Sequence, residues 1–332
     1  MSAGIVPMYV IAFALSAAIT FAMVQWGTRL GLVDEPGEHR SHDVATPRGG
    51  GVGIAAALIA VFAAFAGADE VVAPRMLLAL LLGVMFVAGI GLADDRAALP
   101  PWPRLVVHLL VAAGVAWAGS YGDNRIAIVV FALGIAWSIN LHNFMDGANG
   151  LLAGQAALVL GALAWVAGED VFLAAFCGAG AAAALGFLPF NFPRARIFLG
   201  DVGSGVLGLL IGVAVWQAHA RGTLALPAGL VLASGFVLDA TFTLLWRIAT
   251  GQRFWQRHRE HLYQYLLRSG RSHVLVAAIY WAWTVAAAVL ALRVMPPLEL
   301  PMQWWLAAAV AGTGAILWAL ARMLLRGRLR ES

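Results

Sequence analysis

The sequence predicts an all-α integral membrane protein of about eleven transmembrane helices, with its N-terminus outside and its C-terminus cytoplasmic. Three observations predict this. Of 332 residues, 62% are hydrophobic and only 11% charged, against about a quarter charged in a soluble domain. The apolar residues fall into runs of roughly 17–25, enough to cross a hydrocarbon core about 30 Å thick as helices. All 21 basic residues are arginines, and they collect on one side of those runs.

In chain order the runs occupy residues 4–26, 51–67, 74–92, 104–120, 125–143, 150–167, 171–190, 203–219, 227–247, 274–293 and 302–322. With the N-terminus outside, 17 of the 21 arginines lie inside or at the inner edge, and only Arg75, Arg125, Arg221 and Arg293 lie outside. The positive-inside rule therefore selects this orientation. The first run has no basic residue before Arg29 and is longer than the apolar part of a signal peptide, so it reads as a retained span. Cys177 lies alone within a run, which excludes a disulfide framework and a cysteine metal site. No repeat and no long polar stretch divides the chain, and residues 1–332 read as one domain. The net charge of +4 is directed at anionic headgroups and substrates; nucleic acid is not an expected partner.

The unusual polar residues gather in the five connections that this orientation puts inside. A channel or transporter would more often place them at mid-membrane, on broken helices. The first connection holds Asp34, His39, Arg40, His42, Arg48 and the run Gly49–Gly51. Glycines admit backbone N–H groups to a phosphate and arginines fork onto its oxygens, although a basic turn into the second span reads as well on chemistry alone. The second connection opens with Asp94-Asp95-Arg96. Adjacent carboxylates repel unless they share a cation, and Mg²⁺ takes one or two carboxylates plus substrate phosphates; a solvated helix end is the plainer alternative.

In the third cluster Asn140, Asn143 and Asp146 recur every third residue, which keeps them within about 120° of arc on a helix. Gly147 and Gly150, flanking Asn149, then break the helix. This stripe suits a ligand or a helix-packing role. In the fourth, Asp201 stands just before the eighth span, either an N-cap or a third hard ligand beside Asp94 and Asp95. The ninth span buries Asp239. An intramembrane carboxylate is functional by default, with a helix-packing group bonded to Ser or Thr as the alternative. The fifth connection concentrates cation and imidazole, with Arg257 near His258 and His261, which share a helix face at i, i+3. His108 and His219 stand alone and read as structural.

Taken together, Thr46-Pro47-Arg48-Gly49-Gly50, Asp94-Asp95, Asn140-x-x-Asn143-x-x-Asp146-Gly147, Phe198-Leu199-Gly200-Asp201-x-Gly203-Ser204 and His258-x-x-His261-Leu262-Tyr263-Gln264 resemble the motifs of one family in order and membrane placement. Over residues 34–264 the chain is similar to the polyprenyl-phosphate N-acetylhexosamine-1-phosphate transferases (glycosyltransferase 4-like). The resemblance implies an Mg²⁺-dependent phosphotransferase of the bacterial inner membrane, with Mn²⁺ as a substitute ion. Its expected partners are UDP-N-acetylhexosamine, undecaprenyl phosphate, membrane lipid and a second copy in a homodimer. It also implies that Asp95 and Asp201 hold the metal and that Asp94 orients or deprotonates the lipid phosphate, making all three catalytic. Arg48, Asn140, Asn143, Asp146, Asn149, His258 and His261 are the expected substrate-binding residues, with Arg48 and the two histidines neutralising phosphate charge. His-Leu-Tyr-Gln looks more like the branch that starts O-antigen and related polymers than the peptidoglycan branch, which carries a three-histidine run. The alternatives are that peptidoglycan transferase and a lipid or anion transporter. One departure is Asn149, where the family often has a second Asp, and it bears on the choice of donor.

Overall fold

The computed structural model describes residues 5–34, 45–66, 74–120, 124–253, 256 and 258–331. His39, Arg40 and His42 of the first connection, and Arg257 of the fifth, lie outside the described residues. In a medium without water each backbone N–H and C=O must be paired within the chain, which favours helices almost throughout. The helices are α1 (Ile5–Trp26), α2 (Gly51–Ala66), α3 (Pro74–Ala97), α4 (Pro101–Ala118), α5 (Arg125–Phe144), α6 (Leu151–Val166), α7 (Val171–Asn191), α8 (Gly200–Ala220), α9 (Leu226–Leu232), α10 (Ser234–Ala249), α11 (Leu262–Arg268), α12 (His273–Val289) and α13 (Leu300–Glu331). Two short strands, β1 (Val33–Asp34) and β2 (Thr46–Pro47), pair antiparallel with Val33 opposite Pro47.

Eight helical stretches are long and apolar enough to span: Ile5–Leu30, Pro74–Ala97, Pro101–Ala118, Arg125–Phe144, Val171–Asn191, Gly200–Ala220, His273–Val294 and Leu300–Arg326. The chain is a multi-pass membrane protein. α9 and α10 together form a further apolar stretch, bent by 82°. The expectation of one continuous span over 227–247 is corrected here. The bend falls at Ala233, just before the pair Ser234-Gly235, and Ser/Gly pairs are a common cause of sharp kinks; the Ser234 hydroxyl accepts from Trp283 Nε1 at 2.9 Å. α2 and α6 are apolar but shorter, 16 residues each, a rise of about 24 Å. The third span also differs from expectation, since α3 continues to Ala97 and carries Asp94 and Asp95 on helix rather than in a loop.

α8 is the axis of the bundle. In its most apolar stretch 89% of residues are buried by other helices, against 22% in α1 and in α13, whose apolar side chains are left for lipid. Close approach at one end of α8 depends on glycine. A Cβ on Gly51 would lie 2.1 Å from the Gly203 nitrogen, and one on Gly91 would lie 2.6 Å from the Val202 nitrogen. These contacts bring the start of α2 and the end of α3 onto the first turn of α8.

The same end is knitted by backbone bonds between loops. Gly50 N–H and Gly51 N–H donate to the carbonyls of Phe198 (3.0 Å) and Leu199 (2.9 Å), and Phe198 N–H donates to Pro47 (2.9 Å). Gly150 N–H donates to Asn191 Oδ1 at 2.6 Å, and the Tyr263 hydroxyl donates to the Phe144 carbonyl at 3.0 Å. The polar connections that the sequence singles out therefore meet at one end of the bundle.

Candidate active site

Gly200 opens α8 with a φ of 75°, in the left-handed region that favours glycine. A Cβ there would also lie 2.5 Å from Asp95 Oδ2, so the motif needs glycine twice over. With that approach open, Asp95 Oδ1 accepts the Asp201 N–H at 3.1 Å, one of the free donors of the first turn of α8. Arg48 Nη1 stands 3.9 Å from the same oxygen. Asp95 Oδ2 is enclosed and has no hydrogen-bond partner.

Asp94 is held differently. The tight turn between α3 and α4 places Ala98 at a φ of 45° and brings the Leu99 N–H to Asp94 Oδ1 at 2.6 Å. Arg104, in α4, pairs with Asp94 through Nη1 and with Asp201 Oδ2 through the same nitrogen at 3.1 Å. With its amide oriented to match donors to acceptors, Asn143 donates to Asp201 Oδ1 at 3.1 Å and accepts from Arg104. Asp146 lies close by, beside the Gly200 N–H. Burial first, and then the Asp95 charge, pushes its carboxyl up to about 7 against the opposing pull of Arg48. Four carboxylates thus crowd around two guanidiniums, those of Arg48 and Arg104. So many buried acids side by side resist ionising together, and one enclosed carboxylate oxygen, Asp95 Oδ2, has no hydrogen-bond partner.

Among the described residues no three His, Cys, Asp or Glu side chains are arranged to hold one metal ion by themselves; Arg104 lies between Asp94 and Asp201. Mg²⁺ does not require such a cage, because one or two carboxylates plus substrate phosphates are its usual donor set. Asp95 and Asp201 offer that set, and the unpartnered Oδ2 of Asp95 is the observation that fits a hard cation.

The other expected residues divide. Asn140 turns away from the carboxylates: its Nδ2 donates to the Ala136 carbonyl at 2.7 Å, and its Oδ1 is 3.3 Å from His108 Nδ1. Asn149 links loops instead, with its N–H donating to His273 Nδ1 (3.1 Å) and its Nδ2 to the Pro193 carbonyl (3.3 Å). His258 and His261 pair with ring centroids 4.9 Å apart, and His261 stacks on Phe144 at 5.9 Å. Both Nδ1 atoms are enclosed without a partner. Burial lowers His258 to about 4, helped by His261, and burial also lowers His261. Burial thus disfavours the cationic form of both rings when no anion lies beside them, while an adjacent phosphate would act in the opposite sense.

Asp239 takes the helix-packing alternative. It accepts from Leu262 N–H (2.8 Å), Tyr263 N–H (3.3 Å), the Tyr280 hydroxyl (2.6 Å) and the Thr243 hydroxyl (3.2 Å). It anchors the start of α11 to α10 and α12, which is a structural task.

Sequence reasoning passed over Arg104, counting it only as an inner arginine. A cation at the start of a helix opposes the helix dipole, and that anomaly is the signal that could have marked it. It set His108 aside as isolated, although His108 lies against Asn140 one helix away; nothing local could have disclosed that.

A family model described as glycosyl transferase family 4 matches residues 77–219. The chain is 33% identical over 298 residues to the decaprenyl-phosphate N-acetylglucosaminephosphotransferase of Mycobacterium tuberculosis, covering 77% of this chain and 74% of the relative. It is 27% identical over 313 residues to the undecaprenyl-phosphate alpha-N-acetylglucosaminyl 1-phosphate transferase of Yersinia pestis, covering 84% and 80%. It is 29% identical over 284 residues to the phospho-N-acetylmuramoyl-pentapeptide-transferase of Geobacillus kaustophilus, covering 75% and 83%. The chain, with its loop motifs gathered at one end of a helical membrane bundle, belongs to glycosyl transferase family 4, among the polyprenyl-phosphate N-acetylhexosamine-1-phosphate transferases.

Proposed function

We propose that this chain transfers N-acetylhexosamine-1-phosphate from a UDP-sugar to undecaprenyl phosphate. An acceptor phosphate oxygen attacks the β-phosphorus, the bond from that phosphorus to the bridging oxygen breaks, and UMP leaves with the electron pair. The product is a lipid-diphosphate-sugar, the first intermediate of O-antigen or another cell-envelope polysaccharide. Bringing two phosphate anions together requires cancelling negative charge. The observation that carries the reading is the unpartnered Oδ2 of Asp95 within a cluster of four carboxyl groups and two arginines.

Asp95 and Asp201 would hold Mg²⁺, which when bound offsets the charge of the donor pyrophosphate and of the departing UMP. Asp94, fixed by the Leu99 N–H and Arg104, faces the acceptor as its orienting group. Arg48 and Arg104 supply further positive charge, and Asn143 keeps Asp201 in place. His258 and His261 donate hydrogen bonds to phosphate oxygens. Relatives named for N-acetylglucosamine transfer to polyprenyl phosphates support this donor class. We further read α2, α6 and the bent α9–α10 pair as spans, giving eleven in the bacterial inner membrane, with the N-terminus outside and the site cytoplasmic.

The test is UMP release from a panel of UDP-sugars with undecaprenyl phosphate, including UDP-MurNAc-pentapeptide. Release from a UDP-N-acetylhexosamine is the expected result. Release only from the pentapeptide donor would move the chain to peptidoglycan synthesis, and no release from any donor would overturn the reading.

A further inference from the structure

The family match ends at residue 219, well before α13, yet α13 reaches the loop that carries His258 and His261. Arg322 of α13 is buried among aromatic rings, its guanidinium carbon 5.6 Å from the Trp246 centroid, 5.1 Å from Tyr265 and 5.0 Å from Trp318. From there it forks onto one residue: Nη1 donates to the Glu260 carbonyl at 2.8 Å and Nη2 to Glu260 Oε2 at 2.6 Å. Arg247 of α10 takes the other oxygen, Nη1 to Oε1 at 2.8 Å. Its guanidinium also donates to Gln252 Oε1 (2.9 Å) and the Arg253 carbonyl (3.0 Å), so one side chain ties both ends of the loop. Arg326, one turn further along α13, donates to the Tyr265 hydroxyl at 3.0 Å.

Charge-assisted, forked bonds of this kind are the strong and direction-setting ones. Burial alone would raise the Glu260 carboxyl, but its bond to Arg322 and the charges of Arg322 and Arg247 outweigh that and hold it below the usual range. Glu260 therefore stays ionised and clasped at neutral pH. It sits between His258 and His261 in the chain, and its carbonyl and both carboxylate oxygens are fixed from two helices. On the far side of His261, Asp239 fixes the Leu262 and Tyr263 N–H groups. The histidine rings touch each other, His261 also stacks on Phe144 and Tyr263, and neither Nδ1 has a hydrogen-bond partner, so the backbone that carries the rings helps to set their aim.

We infer that Glu260, clasped by Arg247 and Arg322, is a positioning residue for the His258–His261 pair, and that α13 thereby belongs to the working site. This rests on the reading of that pair as phosphate-binding. The role is distinct from catalysis, since Glu260 works through its neighbours.

The experiment compares wild type, Glu260→Gln, the double variant His258→Ala/His261→Ala, and the triple combination, all as full-length protein in detergent. UMP-release kinetics are read beside hydrogen exchange of the amides from His258 to Gln264. In Glu260→Gln, those amides should exchange roughly tenfold faster while the amides of α8 are unchanged. Its kcat should fall about tenfold, with a smaller change in KM for the UDP-sugar, and the same substitution should cost less than about twofold in the double-histidine background. Glu260→Asp, which keeps the charge, should recover part of the loss. Unchanged exchange at those amides would overturn the clamp. Wild-type kcat in a loosened loop, or an equal loss without the histidines, would overturn the positioning role. If wild type itself releases no UMP, the functional reading fails separately, and the exchange arm still decides the clamp.

Discussion

Asp239 and Asp95 are both enclosed carboxylates, and the protein treats them in opposite ways. Around Asp239 two backbone N–H groups and the hydroxyls of Thr243 and Tyr280 all donate inward. Around Asp95 one oxygen takes the Asp201 N–H, and the other is enclosed without a hydrogen-bond partner. Burial is common to both, so burial does not separate a structural acid from a functional one. Unmet bonding capacity does. Buried polar atoms in native proteins are nearly always paired, and an exception calls for an account. For Asp95 the account we propose is a cation, since Asp94, Asp146 and Asp201 stand beside it and hard divalent ions take carboxylate oxygens.

The widest break between the two regions is expected from the ion. EDTA should take UMP release to background and Mg²⁺ or Mn²⁺ should restore it, while the Asp239 anchor, needing no metal, keeps the fold intact by circular dichroism. Full turnover in chelator would remove the metal role of Asp95 and Asp201.

A narrower test separates the carboxylates of the cluster. Asp201→Asn should cost about 10²-fold or more in turnover, about 2.7 kcal/mol of transition-state stabilisation. Adding Asp95→Asn should cost much less than a second 10²-fold, since either loss disables one ion. Asp94→Asn should lower turnover yet leave the Mg²⁺ dependence in place, because the Leu99 N–H and Arg104 are among its partners and we assign it to the acceptor phosphate. An Mg²⁺ requirement shifted as far as in Asp201→Asn would make Asp94 a third ligand.

The smallest effect concerns pH and belongs to the loop beside Asp239. His258 is lowered from 6.5 to about 4, and His261 is lowered as well. A base whose folded pKa is depressed contributes stability that is complete above its unfolded value and is lost as pH falls toward the folded one. The thermal midpoint should therefore decline between about pH 6.5 and 4. His258→Gln should flatten that decline. An identical pH profile in the variant would mean that the imidazole does not titrate in this way.

How much of this was legible in the sequence depends on the range of the interaction. Apolar runs, and the motifs Asp94-Asp95 and Phe198-Leu199-Gly200-Asp201, are local, and the spans and the carboxylates follow from them directly. The break at Ala233 sits at the local pair Ser234-Gly235, an ambiguous signal on its own, and the partner of the Ser234 hydroxyl, Trp283, lies on another helix. The task of Asp239 needed donors more than twenty residues along the chain, at Leu262, Tyr263 and Tyr280. Arg104 lies within ten residues of Asp94, and its pairing with Asp201 appears only once α4 and α8 share an end. Asn140 had the right spacing for the stripe, but its amide is taken up by its own helix and by His108. Helical period places a residue on a face and does not say which neighbour occupies that face first.

The most direct test of the central claim sets Asp95→Asn beside Asp239→Asn in the same purified protein, with turnover and thermal midpoint read together. Asp95→Asn removes a charge from a crowded cluster and keeps an acceptor for the Asp201 N–H. Its midpoint should stay within about 1 °C of wild type or rise, while turnover falls about 10²-fold. Asp239→Asn turns an amide toward four donors and loses charge-assisted bonds worth about 2–3 kcal/mol, so its midpoint should drop by about 4 °C or more. Well below that midpoint its turnover should fall far less than in Asp95→Asn, by about tenfold at most, because Asp239 acts only through the loop that carries His261. The reverse pattern, with Asp95→Asn destabilised yet active per folded molecule and Asp239→Asn stable but inactive, would contradict the assignment of the unpartnered carboxylate to function and of the satisfied one to structure.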